Sequence, residues 1–176
     1  MIAVGEVKTS VNSNARLTDA LEKIRSAKKL DRSNRGRNHA FIGPGISQGW
    51  IEFDPRNNYK DQIFGFVFTS SSLQRGTLIS GIQDFNASNP RQHWMNLFCA
   101  FNEFVISYEI PKALTPNPMQ ATYLYCTADA EKPDLLLLFY CILASFVDEA
   151  HVARPNYFDY GSIQTSTATY HDLTSS

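Results

Sequence analysis

The feature that most constrains this chain is an apolar segment, Ile2 to Ser10, in which a carboxylate and an ammonium stand two residues apart. The composition of the segment predicts a β-strand. Successive side chains of a strand alternate between its faces, so Glu6 and Lys8 project from the same side together with Ile2 and Val4. The sequence therefore predicts a charged pair fixed on one face of a strand.

Glu6 and Lys8 together have the chemistry of a phosphodiesterase site. A carboxylate held on a strand can bind Mg²⁺. A lysine beside it can orient a water molecule or neutralise the charge that grows on a phosphate under attack. We therefore expect Glu6 and Lys8 to be catalytic, with Glu6 as a metal ligand; the alternative is a polar pair at the solvent end of an ordinary strand.

An amphipathic helix is predicted directly after this strand, from about Asn14. Its apolar residues recur at three- and four-residue steps, and Asn12, Ser13 or Asn14 can cap its first turn. The apolar positions are Leu17, Ala20, Leu21, Ile24, Ala27 and Leu30.

Basic residues are predicted on the outward face of this helix and just beyond it. They are Arg16, Lys23, Arg25, Lys28, Lys29, Arg32, Arg35 and Arg37. Residues 1–60 hold eleven Lys and Arg against six Asp and Glu, although the net charge of the whole chain is −1. A basic helix face beside a candidate site favours binding to nucleic-acid phosphates; the alternative is a solvated helix face.

The residues that carry these features resemble the motif strand and following helix of the PD-(D/E)XK nuclease superfamily, in a bacterial branch of it. The matching segments are Gly5-Glu6-Val7-Lys8-Thr9-Ser10 and Ala20 to Leu30, with a looser match at Phe64 to Phe68 and at Asp134 to Leu136. The resemblance implies an α/β fold with a mixed central sheet flanked by helices. It also implies a Mg²⁺ cofactor, a DNA partner, Glu6 as metal ligand and Lys8 as the catalytic lysine.

The chain also departs from the family pattern. The family fold begins with a helix and two strands before the Glu-X-Lys strand, and the second of those strands supplies an Asp ligand. Because Met1 stands at the motif strand, we expect a restriction-endonuclease-like core that lacks its first helix and two strands. We expect the site to be incomplete unless a partner chain or an upstream segment completes it.

Three functional hypotheses follow. The first is a Mg²⁺-dependent nuclease domain that acts on DNA. The second is a non-catalytic nucleic-acid-binding or regulatory module that keeps the fold and the basic face. The third is that the chain is a fragment of a longer nuclease.

Further strands and helices are predicted downstream. Strands are expected at Ile63 to Phe68, Phe104 to Ile110 and Ala121 to Cys126, and helices at about Leu73 to Phe85 and from Pro133 to Ala150. A single domain over residues 1–160 is expected, followed by a flexible Ser- and Thr-rich tail over residues 161–176.

Composition excludes several protein classes. With 43% hydrophobic and 19% charged residues, the chain has neither a disordered nor a membrane profile. Its longest apolar run, Leu135 to Val147, is too short to span a bilayer. The cysteines show no metal-binding or disulfide spacing, and the first residues have no signal-peptide layout, so we expect a cytoplasmic protein with no membrane partner.

Overall fold

The computed structural model describes residues 2–30, 38–42, 47–51, 54–111, 113–127 and 134–153, and for 38–42, 47–51 and 152–153 it describes the backbone. Three of the predicted phosphate-binding residues, Arg32, Arg35 and Arg37, lie outside these residues. So does the predicted tail over residues 161–176.

The described residues form two sheets and three α-helices. The helices are α1 (Asn14–Lys28), α2 (Arg75–Ala87) and α3 (Leu135–Glu149). The strands are β1 (Ala3–Val11), β2 (Asn38–Ile42), β3 (Ser47–Ile51), β4 (Phe64–Ser72), β5 (Leu97–Ala100), β6 (Phe104–Ile110), β7 (Ala113–Thr115), β8 (Tyr123–Cys126) and β9 (Val152–Ala153).

The larger sheet is mixed and contains six strands of the described chain. Its order is β1-β4-β5-β6-β7, and β8 also pairs with β6. The pairs β1-β4 and β4-β5 are parallel, whereas β6 runs antiparallel to its neighbours. This arrangement confirms the predicted α/β class with a mixed central sheet.

The strand β1 lies at an edge of this sheet. It pairs with β4 from Ala3↔Phe64 to Val11↔Ser72, and no other described strand pairs with its second edge. Polar side chains on one face of β1 are half-buried, whereas Val7 on the other face is 71% exposed. Glu6 and Lys8 therefore lie on an edge strand, on the face that is partly covered.

Two apolar cores cover opposite faces of the sheet. On one face, α1 and α2 pack Leu17, Leu21 and Ile82 against sheet residues that include Val67. On the other face, α3 packs Ile142 and Phe146 against Phe64 and other sheet residues. Residues of opposite parity in β4 serve the two cores, because strand side chains alternate.

The helix α1 lies directly against β4 at Gly65. A Cβ atom added to Gly65 would stand 2.3 Å from Cγ2 of Ile24. A residue without a side chain is therefore needed here to let the helix backbone approach the sheet. This close approach brings the outer edge of α1 over β1.

Most of the predicted elements are confirmed, namely β1, α1, β4, α2, β6, β8 and α3. The strand β5 is not predicted, because its four residues are all buried and show no alternation. Among the described residues, no helix has both the length and the apolar character needed to cross a bilayer.

Replacing Gly65 by Ala tests the contact between α1 and the sheet. We expect the free energy of unfolding to fall by about 1–3 kcal/mol, because the new Cβ overlaps Ile24 in a packed core. Urea denaturation measures this change. Gly76→Ala is the matched control: a Cβ at Gly76 meets nothing within 4 Å, so Ala there should leave stability unchanged or raise it by up to about 1 kcal/mol. Equal losses in the two variants would contradict the interpretation of Gly65.

Candidate functional site

The centre of the candidate site is the pair Glu6 and Lys8 on β1. The distance from Lys8 Nζ to Glu6 Oε1 is 2.7 Å, and both side chains are about one-fifth exposed. The strand places both on the face that α1 partly covers, as the alternation of the sequence predicts. The predicted juxtaposition of these two residues is confirmed.

Two residues of α1 complete a cluster of four charges. Asp19 Oδ2 lies 2.9 Å from Lys8 Nζ, and Lys23 Nζ lies 3.1 Å from both Glu6 Oε1 and Asp19 Oδ2. Asp19 and Lys23 are four residues apart and therefore neighbours on one face of the helix. We call these four residues the β1–α1 ion cluster.

Hydrogen bonds in the β1–α1 ion cluster favour the charged form of its members. For Glu6, partial burial acts to raise the pKa, but hydrogen bonds from Lys8 and Lys23 outweigh it and the pKa is lowered. The pKa of Lys8 is raised, first by its bond to Glu6 and then by its bond to Asp19. The pKa of Asp19 is lowered by its hydrogen bonds from Lys8 and Lys23. The cluster thus holds two carboxylates against two lysines.

Arg16 extends the row of cations beside β1. Its Nη1 donates to the hydroxyl of Ser10 at 2.7 Å and to the Ser10 carbonyl at 3.3 Å. Lys23, Lys8 and Arg16 thus follow the strand in that order, at the levels of Glu6, Lys8 and Ser10. Such a row runs along the direction in which a phosphate backbone could lie.

The prediction that Lys28 lies on the outward face of the helix is wrong. Lys28 is 8% exposed. It follows Leu17, Leu21 and Ile24 at steps of four, three and four residues, so it continues the apolar stripe of α1 rather than the charged face. The spacing of Lys28 from these apolar residues predicts burial, whereas its positive charge predicts exposure.

A buried polar network receives the ammonium of Lys28. Lys28 Nζ donates to Asn96 Oδ1 at 2.7 Å, and the same oxygen accepts from Gly65 N at 2.8 Å. Asn96 Nδ2 donates to the carbonyl of Pro116 at 2.9 Å. Burial lowers the pKa of Lys28 to about 7. Lys28 is therefore a structural residue of the core, and its ammonium is not exposed to a phosphate.

The other predicted basic residues divide between the surface and local contacts. Lys29 is exposed, whereas Arg25 is half-buried, pairs with Glu22 and donates to Asn89 Oδ1 at 2.8 Å. Together with Arg16 and Lys23, Lys29 remains available to an external partner. The continuous basic ridge expected from the sequence is thus interrupted within the described part of α1.

Asp19 is the residue of this site that sequence reasoning missed. It lies on the same helix face as Lys23 and Arg16, whose positive charges predict phosphate contacts. An acidic residue between two basic ones at helical spacing is the signal that would have found it. Within the described ranges, no group of three or more His, Cys, Asp or Glu side chains is placed to hold a metal ion.

Comparison of the sequence with protein-family models and with curated proteins gives no match. Comparison of the structure with solved structures gives matches. NucC of P. aeruginosa ATCC27853 in its cAAA-bound form aligns over 93% of this chain and 58% of its own, with a TM-score of 0.59 and 19% identity. At this identity the likeness shows a shared fold.

Two structures of NucC from E. coli MS115-1 share this fold as well. The apo form aligns over 92% of this chain and 61% of its own, with a TM-score of 0.56 and 18% identity. The cAAA-bound form covers 92% and 57%, with a TM-score of 0.57 and 17% identity. The chain spans about three-fifths of the length of these structures, and at this identity the likeness concerns the fold.

Substituting Lys28 by Met tests the burial of its ammonium. Since folding lowers the pKa of Lys28 from 10.5 to about 7, the unfolded chain binds more protons between these values, and stability contributed by Lys28 rises with pH across that window. We expect Lys28→Met to be more stable than the wild type near pH 6, with the difference shrinking by pH 9. Urea denaturation at several pH values measures it.

Lys29→Met is the matched control, because it removes the same group from the neighbouring exposed position. Its stability difference from the wild type should not change with pH over the same range. A Lys28→Met difference that is independent of pH would show that the ammonium of Lys28 is not desolvated by folding.

Proposed function

We propose that this chain is a Mg²⁺-dependent nuclease domain that acts on DNA, with Glu6 as metal ligand and Lys8 as catalytic residue. The observation that carries the proposal is the 2.7 Å pair of Glu6 and Lys8 on β1. It stands in a fold shared with PD-(D/E)XK nucleases. A carboxylate can hold Mg²⁺ at this place, and a lysine beside it can stabilise the charge that develops on a phosphate under attack.

The residues present fit a divalent metal ion. Carboxylate oxygens are the ligands that Mg²⁺ prefers, and one or two carboxylates with substrate phosphates are its usual protein ligands. Both lysine contacts of Glu6 are made by Oε1, which leaves Oε2 to turn toward a cation. Asp19 shares both lysines with Glu6 and is a candidate for the second carboxylate.

Each residue then has a distinct role. Bound metal would polarise the phosphate and supply a water molecule of lowered pKa. Lys8 lies beside Glu6, where its ammonium can donate a hydrogen bond to a phosphate oxygen as charge develops during attack. Asp19 holds that ammonium from the helix side at 2.9 Å. Because this contact fixes the direction of Lys8, Asp19 acts as a positioning residue even where it does not bind metal.

DNA would follow the row of cations between β1 and α1. Arg16 and Lys29 are exposed, and Lys23 is half-exposed. The β1–α1 ion cluster itself is neutral in sum, with two carboxylates and two lysines. The attraction for a phosphate backbone therefore depends on Arg16, Lys29 and the metal charge rather than on the cluster.

The second edge of β1 is where further residues would complete the site. Backbone groups along that edge have no partner strand in the described part of the chain. A strand added there from a partner chain or another segment would place its side chains next to Glu6. Such an addition supplies the remaining carboxylate that the resemblance calls for.

A second candidate function is a nucleic-acid-binding module without catalysis. It is favoured by the two ammonium groups that engage Glu6 and by the lack of a ready metal-binding group among the described residues. In that case Glu6 and Lys8 join β1 to α1 and no cleavage occurs. The two functions differ in whether divalent metal supports cutting.

The first test measures DNA binding. Arg16→Glu combined with Lys29→Glu should weaken binding to duplex DNA of any sequence by about tenfold or more at low salt, because two phosphate contacts are lost and reversed. Fluorescence anisotropy at several salt concentrations measures the affinity and its salt slope. The slope should become shallower in the variant, since fewer counterions are released.

Arg56→Glu is the control, because Arg56 is an exposed cation outside α1. It should leave the affinity within about twofold of the wild type. If Arg56→Glu weakens binding as much per charge as the double variant of Arg16 and Lys29, binding follows net charge alone and the proposed contact of DNA with α1 is wrong.

The second test measures cleavage. With Mg²⁺ or Mn²⁺, Glu6→Gln should abolish any cutting of plasmid DNA, and Lys8→Ala should lower the rate about a hundredfold or more without a comparable loss of binding, since its role lies in the transition state. Asp19→Asn should lower the rate as well. Nicking and linearisation on gels measure the rate, and anisotropy measures binding.

The result assigns one function or the other. Metal-dependent cutting that persists in Glu6→Gln at the wild-type rate would place the chemistry outside this site. DNA binding by the wild type with no cutting under any divalent metal would instead support the non-catalytic module.

A further inference from the structure

The helix α3 covers β4 but leaves the neighbouring edge strand β1 uncovered. Phe139 of α3 packs edge-on against Phe66 and Phe68 of β4, with ring centroids 5.2 and 5.4 Å apart. Val7 lies beside Phe68 in the register of the two strands, yet it is 71% exposed. No described element therefore covers Val7 on the α3 face of the sheet.

The side of α3 that is turned toward β1 is apolar and exposed. Ser145 and Glu149 line the cavity that α3 forms with β7, at the other end of the sheet. At about 3.6 residues per turn, three apolar residues lie on the opposite side of the helix. They are Leu136, Tyr140 and Val147, all of them exposed. Together with Val7 they form an apolar surface beside the second edge of β1.

Backbone groups of β1 are directed alternately toward β4 and toward the second edge. The carbonyl of Ile2 accepts from the N–H of Phe64 at 2.9 Å, and the parallel register continues without a break from Ala3 to Lys8. Because the bonding direction alternates along a strand, Val7 directs its N–H and C=O away from β4. No described strand pairs with that edge, and such an edge is a template for another strand.

We propose that a second copy of this chain pairs its β1 with this edge, antiparallel and centred on Val7. A twofold axis perpendicular to the sheet then sets Val7 opposite Val7 of the second copy, and each donates to the carbonyl of the other. The same axis sets Glu6 opposite Lys8 of the second copy, and Lys8 opposite its Glu6. The inference goes beyond the proposed function, because it rests on shape and charge and its test measures association.

Charge selects this register over its neighbours. A slip of two residues keeps the bonding directions but sets Glu6 opposite Glu6, or Lys8 opposite Lys8, and like charges directly opposite are destabilising. A slip of one residue turns the bonding groups away from each other. In the register centred on Val7, both cross-strand pairs join opposite charges. About one-fifth of each of these charged side chains is exposed, so the second copy can reach them.

The same axis brings opposite charges of α1 together. Asp19 contacts Lys8. Lys23 contacts Glu6. The two helix residues therefore stand at the levels of the two strand residues, and the axis exchanges these levels. Asp19 thus lies toward Lys23 of the second copy, and both side chains are half-exposed. The neutral β1–α1 ion cluster is therefore complementary to a copy of itself.

The contact on the other face of the paired sheets is apolar. The two Val7 side chains meet at the axis, and each α3 presents its exposed apolar side toward that axis. Burial of apolar surface is the main favourable term in most protein–protein association. Charges thus fix the register on one face, and apolar burial stabilises the pair on the other.

Sedimentation velocity without DNA or metal tests the association. The wild type should show a monomer–dimer equilibrium at micromolar concentrations. Val7→Lys should weaken it at least about tenfold, because two ammonium groups would face each other at the axis. Leu114→Lys is the matched control, because Leu114 is an exposed apolar residue of β7 at the other end of the sheet. It should leave the equilibrium unchanged.

Charge reversal tests the register. Glu6→Lys and Lys8→Glu each set like charges opposite each other twice in a dimer, so each should weaken association at least about tenfold. The double variant Glu6→Lys/Lys8→Glu keeps the net charge and restores the opposite pairs, so it should recover association. Circular dichroism checks that each variant is folded.

A disulfide tests the centre of the pairing. The background is Cys141→Ser, which removes the exposed native thiol. Val7→Cys should give a linked dimer on mild oxidation, because the Cα atoms of a hydrogen-bonded antiparallel pair are about 5.5 Å apart. Thr9→Cys should not, because Thr9 of the two copies would lie four residues apart along the paired strands. Non-reducing gel electrophoresis measures the linked fraction.

The proposal is wrong if the wild type stays monomeric at millimolar concentration, or if Val7→Lys leaves a dimer intact. It is also wrong if Thr9→Cys links the chains as well as Val7→Cys does, or if a folded double charge variant associates no better than the single variants. A monomeric wild type would leave the proposed chemistry of Glu6 and Lys8 standing, whereas absence of DNA cleavage would leave the dimer standing.

Discussion

The parallel pairing of β1 with β4 is the constraint on which the site depends. Parallel neighbours need a crossover connection, and α1 is the helix of that connection that packs on both strands. At Gly65 the helix comes as close to the sheet as its own side chains allow. From this position on the sheet Asp19 reaches Lys8 and Lys23 reaches Glu6.

Two polar networks include residues of α1, and they differ in their exposure to water. The β1–α1 ion cluster is partly exposed, and ion pairs of this kind contribute little to stability because water competes for them. Its members can therefore exchange partners when a ligand arrives. The network of Lys28 and Asn96 is buried, so a polar group of this network that loses its partner cannot bond to water instead. The first network suits chemistry, and the second fixes how α1 lies on the sheet.

The sequence predicted the elements whose pattern is strong and the pair that alternation places together. The strand β1, the helix α1 and the shared face of Glu6 and Lys8 all follow from periods of two and 3.6 residues. The burial of Lys28 and the role of Asp19 did not follow from residue type. Both depend on the position of the residue on the face of α1. The strand β5 depends on contacts between segments distant in sequence, which periodicity does not encode.

The second edge of β1, with which no described strand pairs, bears on how this chain behaves in concentrated solution. Unpaired strand edges recruit other strands, and proteins commonly limit this with charged side chains on the edge. Val7 presents an apolar surface on one face of this edge strand, and Glu6 and Lys8 are charges on its opposite face. These two residues thus oppose self-association in registers that set like charges against each other, and they are also the candidates for catalysis. Substitutions that neutralise these two residues change self-association and activity together. The self-association of such a variant therefore has to be known before its activity is interpreted.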